Sequence, residues 1–365
     1  PTRIARIRSA DYLGREEVFS ADNFCVDLSI CPEQILTDYI VKLIEFPEAL
    51  QVLEFASGKV SLVAVRAFEG GPLVGRPLRA LRADMPQIDT RVAAIFRQDR
   101  SINMTGDTVV EIGDEVFFIA ATEHIRAVMQ ELRRMDKPAK RVMIVGGGNI
   151  GRRLAKTLER NYQVKLIEFN KKVCNKLAED LSHCLVLHGD GTDEKLMQQE
   201  HVADVDVFCA LTNDDENNIM SSLLAKQAGA RKVVALINRS AYVGLLQGGK
   251  IDIALSPAQV TIGTLLAYVR QGDVAAVHSL RRGAAEALEL VAHGDRESSR
   301  VVGRRIEEIE SPHGTTIGAI VRDGQVLIAH HDTVIEAEDH VIVFVNDKRS
   351  VGKVEKLFQV KPGFL

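Results

Sequence analysis

Apolar residues between positions 141 and 256 follow two alternating rhythms. Predominantly apolar runs at 142–145, 164–168, 184–187, 205–211 and 233–237 suit strands buried on both faces of a parallel sheet. The segments between them have helical period: Ile150, Leu154, Ala155 and Leu158 share a face, with Arg152, Arg153 and Lys156 on the others. A later helix is expected to begin near Ile219 and to bury Met220, Leu223 and Leu224. Strand and helix in alternation predict a βαβ series. Residues 259–270, with Val260, Leu265, Leu266, Tyr268 and Val269, read as an apolar helix leaving this lobe. From about residue 285 the rhythm becomes short strands and turns. Hairpin-like segments are expected around Arg322-Asp323-Gly324 and Glu338-Asp339, and a closing helix at roughly 347–358. The fold class is therefore α/β: a doubly wound Rossmann-like parallel sheet lobe followed by a small α+β lobe.

The small lobe occurs twice. Residues 92–119 align without gaps to 317–344, so that Ala94, Ile95, Arg97, Asp107, Thr108, Val109, Glu111, Asp114 and Val116 recur as Ala319, Ile320, Arg322, Asp332, Thr333, Val334, Glu336, Asp339 and Val341. Each pair differs by the same number, 332 − 107 = 225, and that offset also relates Asp27, Pro32 and Gln34 to Asp252, Pro257 and Gln259. Self-similarity at a fixed period marks a tandem repeat. The second copy opens near Arg141, so the first would open near 141 − 225 = −84, and residues 1–12 resemble the strand end at 234–242. The expectation is a fragment that lacks most of one nucleotide lobe. Expected boundaries are 1–46 for the remnant of the first Rossmann lobe with its helix and 47–136 for the first small lobe. The second Rossmann lobe then takes 137–256, a connecting helix 257–276 and the second small lobe 277–365. The charged, proline-containing run 133–141 suits a boundary between copies.

The period gives one segment its meaning. Val142–Val145 runs into Gly146-x-Gly148-x-x-Gly151 and then into a helix, and Glu168 closes the next strand at an offset of 168 − 148 = 20 from the second glycine. Gly146 permits a tight turn, Gly148 lets backbone approach a pyrophosphate, and Gly151 lets helix and strand pack closely. The helix N-terminus offers free N–H groups and partial positive charge to phosphates. A carboxylate at Glu168 can accept from ribose hydroxyls and would repel the 2′-phosphate of NADP.

Composition narrows the field without choosing within it. A net charge of −4 over 365 residues leaves no electrostatic footprint for nucleic acid. Five cysteines without a CxxC pair suit a reducing compartment, and Cys209, inside an apolar run, reads as a buried small hydrophobe. Nowhere does an apolar run approach the ~20 residues needed to span a bilayer.

Other polar groups fall at the ends of strands, where doubly wound sheets bind ligands. His188-Gly189-Asp190-Gly191-Thr192 follows the third strand; Asp190 and Thr192 either contact a nucleotide or form an Asx-type turn, with Thr192 capping the next helix. Thr212-Asn213-Asp214-Asp215 follows the fourth. Adjacent carboxylates can serve acid–base chemistry, but acids at a helix N-terminus are the stronger reading, with Thr212 or Asn213 lining the pyrophosphate. Arg239, after the fifth strand, either neutralises a phosphate or is a surface arginine. A nicotinamide dehydrogenase would need a proton donor, often histidine, and His183, His188 and His201 have no evident substrate-domain partner. His330-His331-Asp332 corresponds to Thr105-Gly106-Asp107, so a shared turn explains it better than a metal.

The strings GGGNIG (146–151), LIEFN (166–170), HGDGT (188–192), ALTNDDENNIMSSLLAKQAGA (210–230) and INRSAY (237–242) resemble the RCK/KTN domain family. In tandem, the chain is similar to the regulatory proteins of Trk-type potassium uptake systems. The resemblance implies a Rossmann lobe and a small C-terminal lobe per unit, joined by a crossover helix that assembles dimers. It implies a non-enzymatic peripheral protein at the cytoplasmic face of the membrane, binding NAD(H) or ATP/ADP, assembled as a homo-oligomeric ring and gating a membrane potassium-translocating subunit. By motif match Gly146, Gly148, Asn149, Ile150 and Gly151 would line the phosphates and Glu168 the ribose. Asp190 and Thr192 would flank the adenine side, with Thr212, Asn213 and Arg239 toward the rest of the ligand. An NAD-dependent oxidoreductase is the alternative, since one fold serves both uses.

Overall fold

The computed structural model describes the chain except residues 1–2, 9–11, 13–14, 21, 99, 133–137, 240, 243–245, 247–249, 270–273, 281–284 and 361–365. Two compact units emerge, each drawn from both halves of the chain: Pro1–Pro47 with Lys137–Thr261, and Glu48–Asp136 with Ile262–Leu365.

The first unit centres on a parallel sheet of six strands in the spatial order Cys184–His188, Gln163–Glu168, Arg141–Val145, Val207–Ala210, Lys232–Leu236, Ile253–Leu255. In chain order this is 3-2-1-4-5-6, the doubly wound arrangement. Its strand order reverses between Arg141–Val145 and Val207–Ala210, the switch point at whose carboxyl ends sheets of this kind bind ligands. Both faces are covered, as the predominantly apolar runs require. Val142, Ile144, Leu166, Val207, Cys209 and Val234 belong to one core, and Met143, Val145, Ile167, Phe208, Ala210 and Val233 to the other. Burial pushes the Cys209 thiol up to about 12, as fits a packed hydrophobe.

The helix Asn149–Leu158 buries Gly151, Leu154, Ala155 and Leu158. Its cover comes from the other copy: the helix Pro32–Glu45, opened by proline where no N–H is needed, buries Leu36, Ile40, Leu43 and Ile44 in the same core as Leu154, Ala155 and Leu158. Ahead of it, Ile4–Arg6 pairs parallel with Leu28–Ile30. Leu28–Ile30 and Pro32–Glu45 start one repeat period before Ile253–Leu255 and the helix Pro257–Val269 (253 − 28 = 257 − 32 = 225).

The second unit holds two five-stranded antiparallel sheets. The first is ordered Ala49–Phe55, Val60–Arg66, Glu115–Ala121, Thr90–Arg97, Arg100–Ser101; the other Val274–Leu280, Ala285–Val291, His340–Val345, Thr315–Arg322, Gln325–Ile328. Every strand of the first starts one full period before its counterpart, and even the register shift recurs, at Val92/Ala94 and Ile317/Ala319.

Four expectations need correction. A sixth strand, Ile253–Leu255, was too short to stand out by pattern. Val274–Leu280 precedes the expected start of the second small lobe, because its outward-facing Ala275 and half-buried His278 break the apolar rhythm. The helix expected near Ile219 begins at Asp215. Leu223 and Leu224 pack half-buried against the core as expected, but Met220 is exposed, and the buried positions are Asp215, Asn218, Ser221, Ser222 and Ala225, small and polar rather than large and apolar. Asp323-Gly324 is a hairpin turn, with φ of 48° and 80°, but Glu338-Asp339 is not. Instead Asp339 is fully buried, and its two oxygens accept from Arg322 Nε and Nη2 at 2.8 Å each. Asp114 and Arg97 repeat that pair at the same distances.

Candidate functional site

The carboxyl ends of the first four strands bring three loops together. Gly146 has a φ of +100°, in the left-handed region that favours glycine, and a Cβ there would come within 2.9 Å of the Thr212 nitrogen. The first and fourth loops thus touch through backbone. Gly147 donates its N–H to Glu168 Oε2 at 2.7 Å, tying the first loop to the second strand. A Cβ on Gly191 would overlap the Val145 side chain, so the third loop also closes on the end of the first strand. A Cβ on Gly151 would overlap the Gly146 carbonyl oxygen, which makes that glycine a packing requirement.

Gly148 differs from its neighbours. It caps the helix Asn149–Leu158 with φ −67° and ψ −171°, a conformation open to any residue. A Cβ there would meet nothing within 4 Å. Neither strain nor internal packing explains a glycine at this position; clearance in front of the helix does. The N–H groups of Asn149, Ile150 and Gly151 belong to the first turn, where no earlier carbonyl can accept them. This geometry fits an anionic group. The Ile150 side chain itself packs against the core, so only its backbone serves the loop.

Glu168 proves busier than expected. Its Oε1 accepts from Asn170 N at 2.7 Å while Oε2 holds Gly147. Each carboxylate oxygen retains acceptor capacity, so ribose hydroxyls can still be received.

Asp190 makes the Asx-type turn: Oδ1 accepts from Thr192 N and Thr192 Oγ1, both at 2.8 Å. Thr192 does not cap the next helix. Asp193 does, accepting from Lys195 N and Leu196 N. The Thr212 hydroxyl is also used internally, at 2.7 Å from Asn218 Oδ1 and accepting from Asp214 N at 3.1 Å. Asn213 is exposed.

Two residues whose structural role the sequence did not reveal hold this edge in place. Asn218, fully buried, donates from Nδ2 to the carbonyls of Thr212 and Leu236 at 2.9 Å each, and its Oδ1 receives Thr212 N. Asp215 is buried too; it accepts from Asn238 N, Asn238 Nδ2 and Arg239 N at 2.8–3.0 Å. Asp214 caps the helix through Asn217 N at 2.7 Å. Neither aspartate is placed for acid–base chemistry: one is a cap, the other a staple. Arg239 Nη1 donates to Glu216 Oε1 at 2.8 Å and to Tyr242 Oη at 2.7 Å. The bond to Tyr242 and the charge of Glu216 hold its guanidinium above the ordinary arginine range.

His183 and His201 precede the third and fourth strands and so lie at the opposite edge of the sheet from the glycine loop. His188 Nε2 is 3.0 Å from the Phe169 carbonyl. The His330 turn is shared with the first copy: His330 N donates to Thr333 Oγ1 at 3.0 Å, as Thr105 N does to Thr108 Oγ1 at 2.9 Å. Among the described residues no His/Cys/Asp/Glu cluster could hold a metal.

Comparison with known proteins now adds identity. The TrkA-N domain family model matches residues 142–257, and the TrkA-C domain model matches 62–133 and 296–359. The Trk system potassium uptake protein TrkA of Halomonas elongata is 60% identical over 360 residues, 99% of this chain and 79% of that protein. This chain belongs to the TrkA family. The TrkA of Vibrio alginolyticus is 58% identical over 366 residues, covering 100% of this chain and 80% of that protein. The RCK domain of the GsuK channel superposes with a TM-score of 0.53 at 15% identity, over 98% of this TrkA-family chain and 75% of its own. A GsuK channel bound to NAD gives 0.51 at 14%, over 98% and 62%. These two share the fold. Among the described residues no helix of the TrkA-family chain is long and apolar enough to cross a membrane.

Proposed function

We propose that this chain is the regulatory subunit of a Trk-type potassium uptake system, binding NAD(H) or an adenine nucleotide at the 146–151 loop and gating a membrane potassium-translocating partner. The observation that carries the reading is the clearance at Gly148, in front of free N–H groups and beside Glu168. Membership of the TrkA family supports it, as does the NAD reported for a GsuK channel of the same fold. Gly146, Gly148, Asn149, Ile150 and Gly151 would receive the phosphates through backbone, and Glu168 the ribose. Asp190 and Thr192 would flank the adenine side, and Thr212, Asn213 and Arg239 the remainder. The bound nucleotide supplies charge and contacts, and no chemical step is assigned to it.

Gating follows from linkage. A ligand shifts an equilibrium by its differential affinity for two states, and a coupling of ~1–3 kcal/mol changes opening roughly 5- to 150-fold. Glu168, Asn218 and Asp215 tie the loops that would meet the ligand to neighbouring strand ends and helix starts, which gives a ligand-driven shift a route into the sheet. The partner, a homo-oligomeric ring beneath it, the cytoplasmic face of the membrane and the five-part division of the chain given above belong to the same proposal.

Calorimetry with NADH, NAD, ATP and ADP tests it, followed by potassium flux through the membrane partner with and without the ligand that binds. Failure of all four to bind would overturn the nucleotide reading. Steady turnover of NADH with a small-molecule panel would restore the oxidoreductase.

A further inference from the structure

Glu216, Arg239 and Tyr242 close a three-membered clasp on the fourth and fifth loops of the same sheet edge. Arg239 Nη1 donates to both partners, the Tyr242 hydroxyl donates to Glu216 Oε1 at 3.0 Å, and the guanidinium carbon lies 5.2 Å from the Tyr242 ring centroid. The clasp is anchored at both ends. The Tyr242 ring packs against the core that contains Met143, Phe208 and Ile237, and the Arg239 backbone is held by Asp215, the residue beside Glu216. Arg239 follows the end of the fifth strand closely, at an edge that also carries Asp190, Asp193 and Asp214, with Glu168 at a strand end. The counter-charge of Arg239 is therefore built into the protein rather than left for a ligand.

We propose that Glu216 is a specificity-determining residue, which by occupying Arg239 tunes the site toward the less charged pyrophosphate of a dinucleotide and against a terminal triphosphate. This rests on the nucleotide-binding reading above. A guanidinium already shared between a carboxylate and a phenol has less to offer an incoming phosphate. Each further phosphate charge also meets the acidic loops. Glu216 is exposed, so its removal changes charge rather than packing.

The test is calorimetry of the full chain with NADH, ADP and ATP at low and physiological ionic strength, comparing the native chain with Glu216→Gln. Loss of one exposed ion pair should raise ATP affinity about three- to fivefold at low salt, with NADH changing less than about twofold. The gain should shrink as salt screens it. Tyr242→Phe, which frees Arg239 from one partner while keeping the ring, should shift ATP in the same direction by less. An unchanged ratio of ATP to NADH affinity in Glu216→Gln, or an equal gain for both ligands, would overturn the inference while leaving nucleotide binding intact. A native chain that binds none of the three overturns the nucleotide reading itself.

Discussion

Arg322 grips the buried carboxylate of Asp339 through two parallel hydrogen bonds of 2.8 Å, and Arg97 grips Asp114 identically at the equivalent place in the first copy. In both copies the same aspartate also receives a backbone N–H, from Glu336 at 2.7 Å or Glu111 at 2.9 Å. The clamp pins the end of one strand to the turn entering the next. Removing the carboxylate would take the acceptor from Arg322 Nε and from the Glu336 N–H, while the guanidinium keeps Glu336 and the Val334 carbonyl. Asp339→Ala should therefore cost about 1.5–3 kcal/mol, the range for hydrogen bonds to charged groups, read by urea unfolding, and Asp114→Ala a similar amount. A loss below about 1 kcal/mol in both would show that the clamp is ornamental.

The glycines of the 146–151 loop should separate into two kinds. Gly151→Ala forces a methyl onto the Gly146 carbonyl and should destabilise the lobe by about 1–3 kcal/mol. Gly148→Asp adds its side chain into open space, so thermal unfolding should be unchanged while calorimetric nucleotide binding disappears. Retained binding in Gly148→Asp would mean that the ligand sits elsewhere.

Glu168→Ala removes the acceptor of Gly147 and a candidate acceptor for the ribose. With charged hydrogen bonds contributing about 1.5–3 kcal/mol, NADH affinity should fall tenfold or more. The gap between NADH and NADPH should narrow, because the charge that repels a 2′-phosphate is gone. A variant that weakens both cofactors equally would assign Glu168 to holding the loop alone.

His278 predicts a pH dependence. Burial lowers its pKa below the usual histidine range, against the Glu54 backbone and the charge of Glu289, which raise it. Its ring meets Phe55 edge-on at 4.9 Å. In the unfolded chain the imidazole gains a proton below about pH 6.5, while the folded site resists it. Stability should then fall as pH drops from 7 toward 5, by up to about 1.4 kcal/mol per unit from this group. Leu53 holds the equivalent place in the first copy (278 − 225), and His278→Leu should flatten this part of the profile in chemical unfolding at several pH values.

Much of this architecture could be read from periodicity. Five of the six parallel strands and the helix Asn149–Leu158 announce themselves because parallel strands are apolar on both faces and the helix has one apolar stripe. What escaped was burial achieved by other means. The helix Asp215–Ala228 turns Asn218, Ser221 and Ser222 inward, which a search for apolar stripes cannot find. Asp215 and Asn218 looked like part of a polar loop because their partners include main-chain groups at the end of the next strand, well beyond the helix itself. The Arg–Asp clamp was visible as recurrence at a period of 225 before its geometry was known. In the glycine loop, sequence could place three glycines but not separate the one kept for clearance from those kept for turning and packing.

The helix that covers Leu154, Ala155 and Leu158 comes from residues 32–45, far upstream in the chain. The Rossmann-like lobe is thus a composite, and a contiguous excised segment 137–261 would expose the apolar stripe that Leu36, Ile40, Leu43 and Ile44 normally seal. Such a piece would be prone to self-associate, and oligomers it formed would report the missing helix rather than native assembly. Dissecting this protein calls for co-expressed segments, because no single cut along the backbone follows its physical seams.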